Sequence, residues 1–333
     1  MPRYYLTGGR QRGSTFVRRD EWTSFEAALL LELDTDTGRI RRVLEYVSPP
    51  GSCPEQEPSI LFKSGSWDGQ ELLVCTQTEV LRIDPVAGRV LERVSHPWFN
   101  DLHHVARVRG RIHVVCTGLD CLLVLDERGD IAAALGALGQ DPWARFDPDT
   151  DYRLVHTTKP HASHPNFVSE AAGSRWLTRF EQGDALALDR DLPPIPVSSD
   201  RIHDGLAVGD ELWFTAVSGE IVRASAATGQ ALERWDLKDF PRSGREPLGW
   251  CRGLHVERER VLVGFSRLRP TKFVQNLSWL RGALNRPEPE PCRVVAYDLK
   301  GRRQLSSWNL EEAGMSAVFS VLPGQPPDGS AGQ

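Results

Sequence analysis

The chain of 333 residues carries 40 Lys and Arg against 45 Asp and Glu, a formal net charge of -5. So balanced a composition gives no electrostatic case for nucleic acid or an anionic membrane as partner. No stretch approaches the roughly 18 apolar residues of a membrane span, and Met1-Pro2-Arg3-Tyr4-Tyr5 leads into no apolar signal core, so a cytoplasmic protein is expected.

Along the chain, β signals begin at Tyr4-Tyr5-Leu6-Thr7 and continue through Ala28 to Asp34 and Ile40 to Val47. The second of these introduces a recurring pattern: an apolar run ending in Asp or Ser, a turn closing at Gly, then another strand. Copies run from Leu31 to Asp34 and on to Gly38, Leu81 to Asp84 and Gly88, Leu123 to Asp126 and Gly129, Ile221 to Ser225 and Gly229, and Val294 to Asp298 and Gly301. Ala185 to Asp189 is a degenerate sixth. Asp caps such a turn through its carboxylate and Gly takes the positive φ that other residues resist, so each copy reads as a hairpin. The runs that follow, such as Val90 to Val94 and Ala231 to Trp235, alternate as half-solvated outer strands do.

Six copies, at intervals of roughly 36 to 73 residues, predict an all-β fold: a six-bladed β-propeller of four-stranded antiparallel blades. The first unit has no inner strand ahead of it, and Ser316-Ala317-Val318-Phe319-Ser320-Val321 supplies one from the far end of the chain. Ring closure by that strand removes two exposed sheet edges. A single domain over 1–322 is expected, with a Gly/Pro/Ser-rich disordered tail over 323–333.

A second repeat lies at the start of the inner strands. Aligned on their apolar residues, the segments beginning at His103, His164, His203 and Cys251 share one register, each followed by a turn and a β-rich run such as Ile112 to Val115 or Leu212-Trp213-Phe214. On this blade grammar, clearest in His203-Asp204-Gly205-Leu206-Ala207-Val208, the chain resembles six-bladed propellers of the broad NHL and gluconolactonase-like group over about residues 3–322. The resemblance implies a fold and leaves the activity open. The carboxylate and asparagine set with which gluconolactonase-like members bind a divalent cation does not map onto this sequence. As a type of site, the histidines are similar to the histidine-bound iron of carotenoid oxygenases and the histidine-rich manganese site of oligogalacturonate lyases, both seven-bladed.

Inner strands line the channel of a propeller, so His103, His164 and His203 are expected to converge near one mouth. Three neutral imidazoles suit a first-row divalent metal with open positions, with Cys251 as a further candidate ligand; iron is the first choice, and zinc, manganese or copper the alternatives. Hydrogen-bonded channel-lining histidines are the competing account. His104, His161 and His255 flank the register and read as supporting or packing residues. Asp101 and Asp204 are candidates to orient imidazoles or handle protons, and Arg201 and Arg252 to anchor a substrate carboxylate; solvated caps and interblade ion pairs compete with those roles.

Two insertions could decorate the mouth. Residues 266–291 place Phe273, Val274, Leu277, Leu280 and Leu284 at helical spacing before a Pro/Glu run, as a lid or a contact between copies in a homo-oligomer. Residues 137–160 carry Trp143, Phe146 and Tyr152, as pocket lining or local packing. Of six cysteines none forms a CxxC pair. Cys116 and Cys121 could face each other across a hairpin, a disulfide being the less favoured outcome, and Cys75 reads as a buried thiol. No nucleophile, phosphate-loop or HExxH motif is present. The expectation is a metal-dependent oxidoreductase or lyase acting on a small molecule at the channel mouth. The alternative is a non-catalytic scaffold binding a peptide or protein on the same face.

Overall fold

The computed structural model describes residues 2–13, 20–198, 200–241, 248–258, 260–268 and 290–326. Among them are six four-stranded antiparallel sheets. Blade 1 is built from Ala317–Pro323, Arg3–Gln11, Phe25–Asp34 and Ile40–Tyr46, in that spatial order. The C-terminal strand therefore closes the ring as expected, with Tyr4 opposite Pro323 and Leu6 opposite Val321. It runs one residue beyond the expected domain end, to Pro323. Blades 2 to 6 follow in chain order, with inner strands Gly65–Asp68, Leu102–Val108, Pro165–Ala171, Leu206–Val208 and Trp250–Glu257. Each inner strand touches those of both neighbouring blades, and the circuit is complete.

The physical basis is the one the patterning implies. Second and third strands are buried on both faces: Leu72 to Cys75 and Cys121 to Leu125 are packed between blades. Outer strands such as Arg89–Val94 are largely exposed. Apolar clusters fill the wedges between blades. Between blades 5 and 6, Trp213 stacks on Trp235 at 5.6 Å and packs with Leu254, Val263 and Phe265. Fully burying one such side chain is worth about 1.5–3 kcal/mol, so the interblade wedges dominate the stability.

No helix among the described residues is long and apolar enough to cross a membrane. The amphipathic helix expected within 266–291 falls at 269–289, outside the described residues, as does the tail beyond 326. The aromatics of 137–160 pack locally: Trp143 lies on Trp98 at 4.2 Å and Phe146 meets Tyr152 edge-on, within the apolar cluster of blade 3. Cys116 and Cys121 do face each other, and both are free, buried thiols; Cys75 is likewise a buried free thiol.

Candidate functional site

Five inner strands turn back through hairpins whose last paired residues are Asp68, Val108, Ala171, Val208 and Glu257. Counting five residues back from each gives Lys63, His103, Asn166, His203 and Arg252. In blade 1 the equivalent irregularity, between Thr7 and Gly8, leaves Phe319 as the extra residue, as His103 and Asn166 are in theirs. A β-bulge re-aims the side chain it carries. These six side chains form a ring at one level of the channel, all nine-tenths or more buried. Lys63 Nζ lies 5.0 Å and Arg252 Cζ 4.6 Å from the centroid of Phe319, with His203 at 5.8 Å from it and 5.9 Å from His103.

The geometric register corrects the apolar alignment at two places. His164 stands seven residues back from its hairpin, the position of Asp101 in blade 3, and both adopt left-handed φ, 53° and 47°. It therefore sits one level nearer the mouth than the ring, where its imidazole still meets that of His103 at 5.0 Å and stacks on Phe180 at 4.5 Å. Cys251 is displaced by one residue, and a shift of one reverses the face of a strand. Its thiol lies in the apolar wedge with Trp213, Leu248 and Phe265, pushed well up by burial, and is not brought to the histidines. Arg252 takes the channel position instead.

The residues one step nearer the hairpin tie neighbouring blades together. His104 stacks on Phe167 at 3.6 Å and accepts from the backbone N–H of Val168. Asp204 accepts from the Thr215 hydroxyl at 2.5 Å and from the N–H of Gly253 at 3.0 Å, joining blade 5 to blade 6. Gly253 has φ +73°, and a Cβ there would press on the Phe319 carbonyl at 3.1 Å. Desolvation pushes the Asp204 carboxyl up to about 6. Asp204 is thus committed to the blade junction. Arg201, nearly half exposed, lies over Phe180 and pairs loosely with Glu181 at the rim.

Asp101 does meet the ring. Its carboxylate accepts from Lys63 Nζ at 3.2 Å, and its backbone carbonyl lies 2.9 Å from His103 Nδ1. A carbonyl only accepts, so Nδ1 carries the proton and Nε2 holds a lone pair, 3.3 Å from Lys63 Nζ. Burial pushes the Asp101 carboxyl up, but Lys63 and the imidazoles of His103, His161 and His164 outweigh it and hold the group well below the usual range. Burial lowers the Lys63 ammonium. Burial, with Lys63 beside it, holds His103 near 3, and burial also keeps His164 and His203 well below their ordinary value. All three imidazoles are neutral at pH 7.

These facts bear on a metal. The three rings approach one another, yet the Nε2 lone pair of His103 is taken by Lys63, and His164 Nδ1 faces His161 Nδ1 at 3.0 Å. Only His203 keeps both ring nitrogens buried and without a hydrogen-bond partner. Among the described residues no three His, Cys, Asp or Glu side chains are placed to hold one metal ion. A cation on His103 would have to displace the Lys63 ammonium. As it stands the cluster is a set of neutral imidazoles beside two buried cations, Lys63 paired with the Asp101 carboxylate and Arg252 over Phe319, a set suited to proton transfer and to holding negative charge.

Lys63, Asn166 and Phe319 escaped the sequence reading because nothing about a lone Lys, Asn or Phe stands out. Counting from the hairpin turns, rather than from apolar residues, would have found the first two.

No family model matches the sequence, and no curated protein matches it. One solved structure supports the fold. A chain of the nidogen/laminin complex superposes with a TM-score of 0.58 at 10% identity, over 96% of this chain and 98% of that one. Streptogramin B lyase also matches, with a TM-score of 0.47 at 11% identity, over 92% of this chain and 88% of that one. The protein is a six-bladed β-propeller.

Proposed function

We propose that the protein is an enzyme acting on a small molecule at this mouth of the channel, with buried neutral imidazoles moving protons and Lys63 and Arg252 holding negative charge. The observation that carries the reading is His203. Its ring is 1% exposed, both nitrogens lack partners, and it lies between Arg252 and His103 against Phe319. A buried polar group normally finds a partner, and its absence here leaves one donor and one acceptor for a bound molecule. A neutral imidazole offers the lone pair that abstraction of a proton requires, and a bound anion beside it would raise its basicity toward the working pH. Asp101 orients His103 and fixes its tautomer through the main-chain carbonyl, so that its Nε2 lone pair meets the Lys63 ammonium and His203 is left as the open base. A lyase-type elimination, in which a base removes a proton and a cation steadies the developing anion, uses all of these groups.

The test is incubation of small-metabolite extract with protein in D2O, followed by NMR for consumed species or new C–D bonds, for wild type and His203→Ala. Turnover in the wild type that the variant loses, with its fold intact, supports the reading. Equal turnover in both would overturn it, and no turnover in either would favour a scaffold that binds a peptide or protein on this face.

The close approach of the three rings, with both His203 nitrogens open, favours one second reading: a divalent ion held by His103, His164 and His203 after Lys63 withdraws. Iron is its first candidate, with zinc, manganese or copper as alternatives, and the ion would polarise substrate as a Lewis acid. Metal analysis of protein purified without an affinity tag decides it: stoichiometric metal lost in His203→Ala supports the ion, and metal-free protein with full activity excludes it.

A further inference from the structure

Above the imidazole layer, Lys159 Nζ meets Glu21 Oε2 at 2.5 Å. The two residues are 138 apart in sequence. Glu21 comes from the connection between the second and third spatial strands of blade 1, and Lys159 from the connection between blades 3 and 4. In a ring of six these lie on opposite sides, so the pair spans the mouth.

The two partners are held very differently. Lys159 lies on a loop fixed from several directions: the Asp120 carboxylate accepts from the backbone N–H groups of Ala162, Ser163 and His164, and Thr158 Oγ1 donates to the Gly118 carbonyl. Glu21 opens a three-residue 3-10 turn whose main chain is held by the Ser59 N–H on the Trp22 carbonyl and by the Thr23 and Ser24 hydroxyls on that of Asp20. The turn has no side-chain cap and buries none of its own residues, so the Glu21 side chain itself is free to turn away. Lys159 is the fixed half and Glu21 the exchangeable one. Below Lys159 the polar groups continue inward without a break: His161 lies 3.0 Å from His164, His164 packs against His103, and His103 meets Lys63.

From this we infer that the mouth holds a carboxylate subsite centred on Lys159, in which Glu21 stands in for the carboxylate of a small acid. The acid enters by replacing Glu21 on Lys159, and its remaining atoms then lie over His161, His164 and Asp101. The mouth thus selects carboxylates and is kept closed by the protein's own side chain. Lys159 and Glu21 keep 27% and 42% of their side-chain surface exposed, and a pair so open to water is a weak competitor, so the closed form yields to a ligand that gains further contacts below. This inference rests on the reading that a small molecule acts at this mouth, and adds its chemical class.

The experiment is ligand-observed NMR titration of the full chain with acetate, with acetamide and inorganic phosphate as comparators, at constant ionic strength. Wild type should bind acetate and neither comparator. Glu21→Gln, which removes the internal competitor, should lower the acetate Kd by about two- to fivefold, the range set by a weak ion pair that holds the competent form below full population. Lys159→Met should abolish binding and Lys159→Arg restore it, with thermal melts showing both folded. An unchanged or raised Kd in Glu21→Gln, binding that survives Lys159→Met, or equal binding of phosphate overturns the subsite. His203→Ala separates the two proposals, because it leaves Lys159 untouched. Acetate binding retained there while extract turnover is lost supports both. Acetate binding with turnover indifferent to His203 sustains the subsite and sinks the enzymatic reading. Turnover that depends on His203 without any acetate binding does the reverse.

Discussion

Acidification should destabilise this protein before most of its carboxylates titrate, because His103, His104, His164 and His203 are all buried and held neutral. The native pKa of each lies below that of the unfolded chain, so the unfolded state binds more protons as the pH falls below about 6.5. The stability these groups contribute is complete above that value and is lost on going down. At pH 5 an imidazole kept neutral with a pKa near 3, as His103 and His104 are, costs about 2 kcal/mol, the two together about 4 kcal/mol, and His164 and His203 add to the loss in the same direction. Asp204 acts in the opposite sense: its carboxyl, pushed up to about 6, destabilises the fold when ionised, and its protonation returns about 1.4 kcal/mol over the same interval. The net loss, about 2 to 3 kcal/mol before His164 and His203 add to it, is a large share of the whole stability of a typical domain, about 5–15 kcal/mol. Urea unfolding followed by tryptophan fluorescence at pH 7.5, 6.5, 5.5 and 5.0 measures it; the chain has 10 Trp as probes. The midpoint should fall steeply below pH 6.5. His104→Gln, away from the channel, should make that fall shallower by about 2 kcal/mol at pH 5. A midpoint that stays flat or rises on acidification would refute the picture of four neutral buried imidazoles.

Removing everything after Gly314 should abolish cooperative folding at 37 °C: Met315, Val318, Phe319 and Val321 are fully buried, and at about 1.5–3 kcal/mol each their loss alone approaches the total stability. A truncated protein with an unchanged melting temperature would show that the ring does not close there. Asp204→Asn keeps an acceptor for Thr215 and Gly253 while removing the buried charge, and should stabilise the protein by up to about 3 kcal/mol at pH 7.5 and hardly at all at pH 4, read by the same urea series.

Much of the architecture was legible in the chain because its causes are local. Asp34 accepts from the backbone N–H groups of Asp36 and Thr37, and Gly38 follows with φ +71°, as the turn chemistry of the Asp-to-Gly repeat requires. Six such hairpins and an orphan strand at the C-terminus suffice to specify a closed six-bladed ring. The approach of His103 and His203 was legible too, since repeats around an axis bring equivalent positions together, whereas His164 meets His103 from a position one level above. What each histidine does was not. In blades 1, 3, 4 and 6 the side chain that enters the channel depends on a bulge, and a bulge is a property of two paired strands rather than of one segment. That is why Cys251, one residue from the channel position, ends in an apolar wedge while Arg252 lines the channel. It is also why His164 sits a level above the ring and Asn166 within it. Lys63 gains its meaning only from Asp101 and His103 of blade 3 and Phe319 of blade 1, and Lys159 from Glu21 across the mouth. Local turn chemistry fixed the blades; the electrostatics of the site come from charges that only ring closure brings within reach of one another.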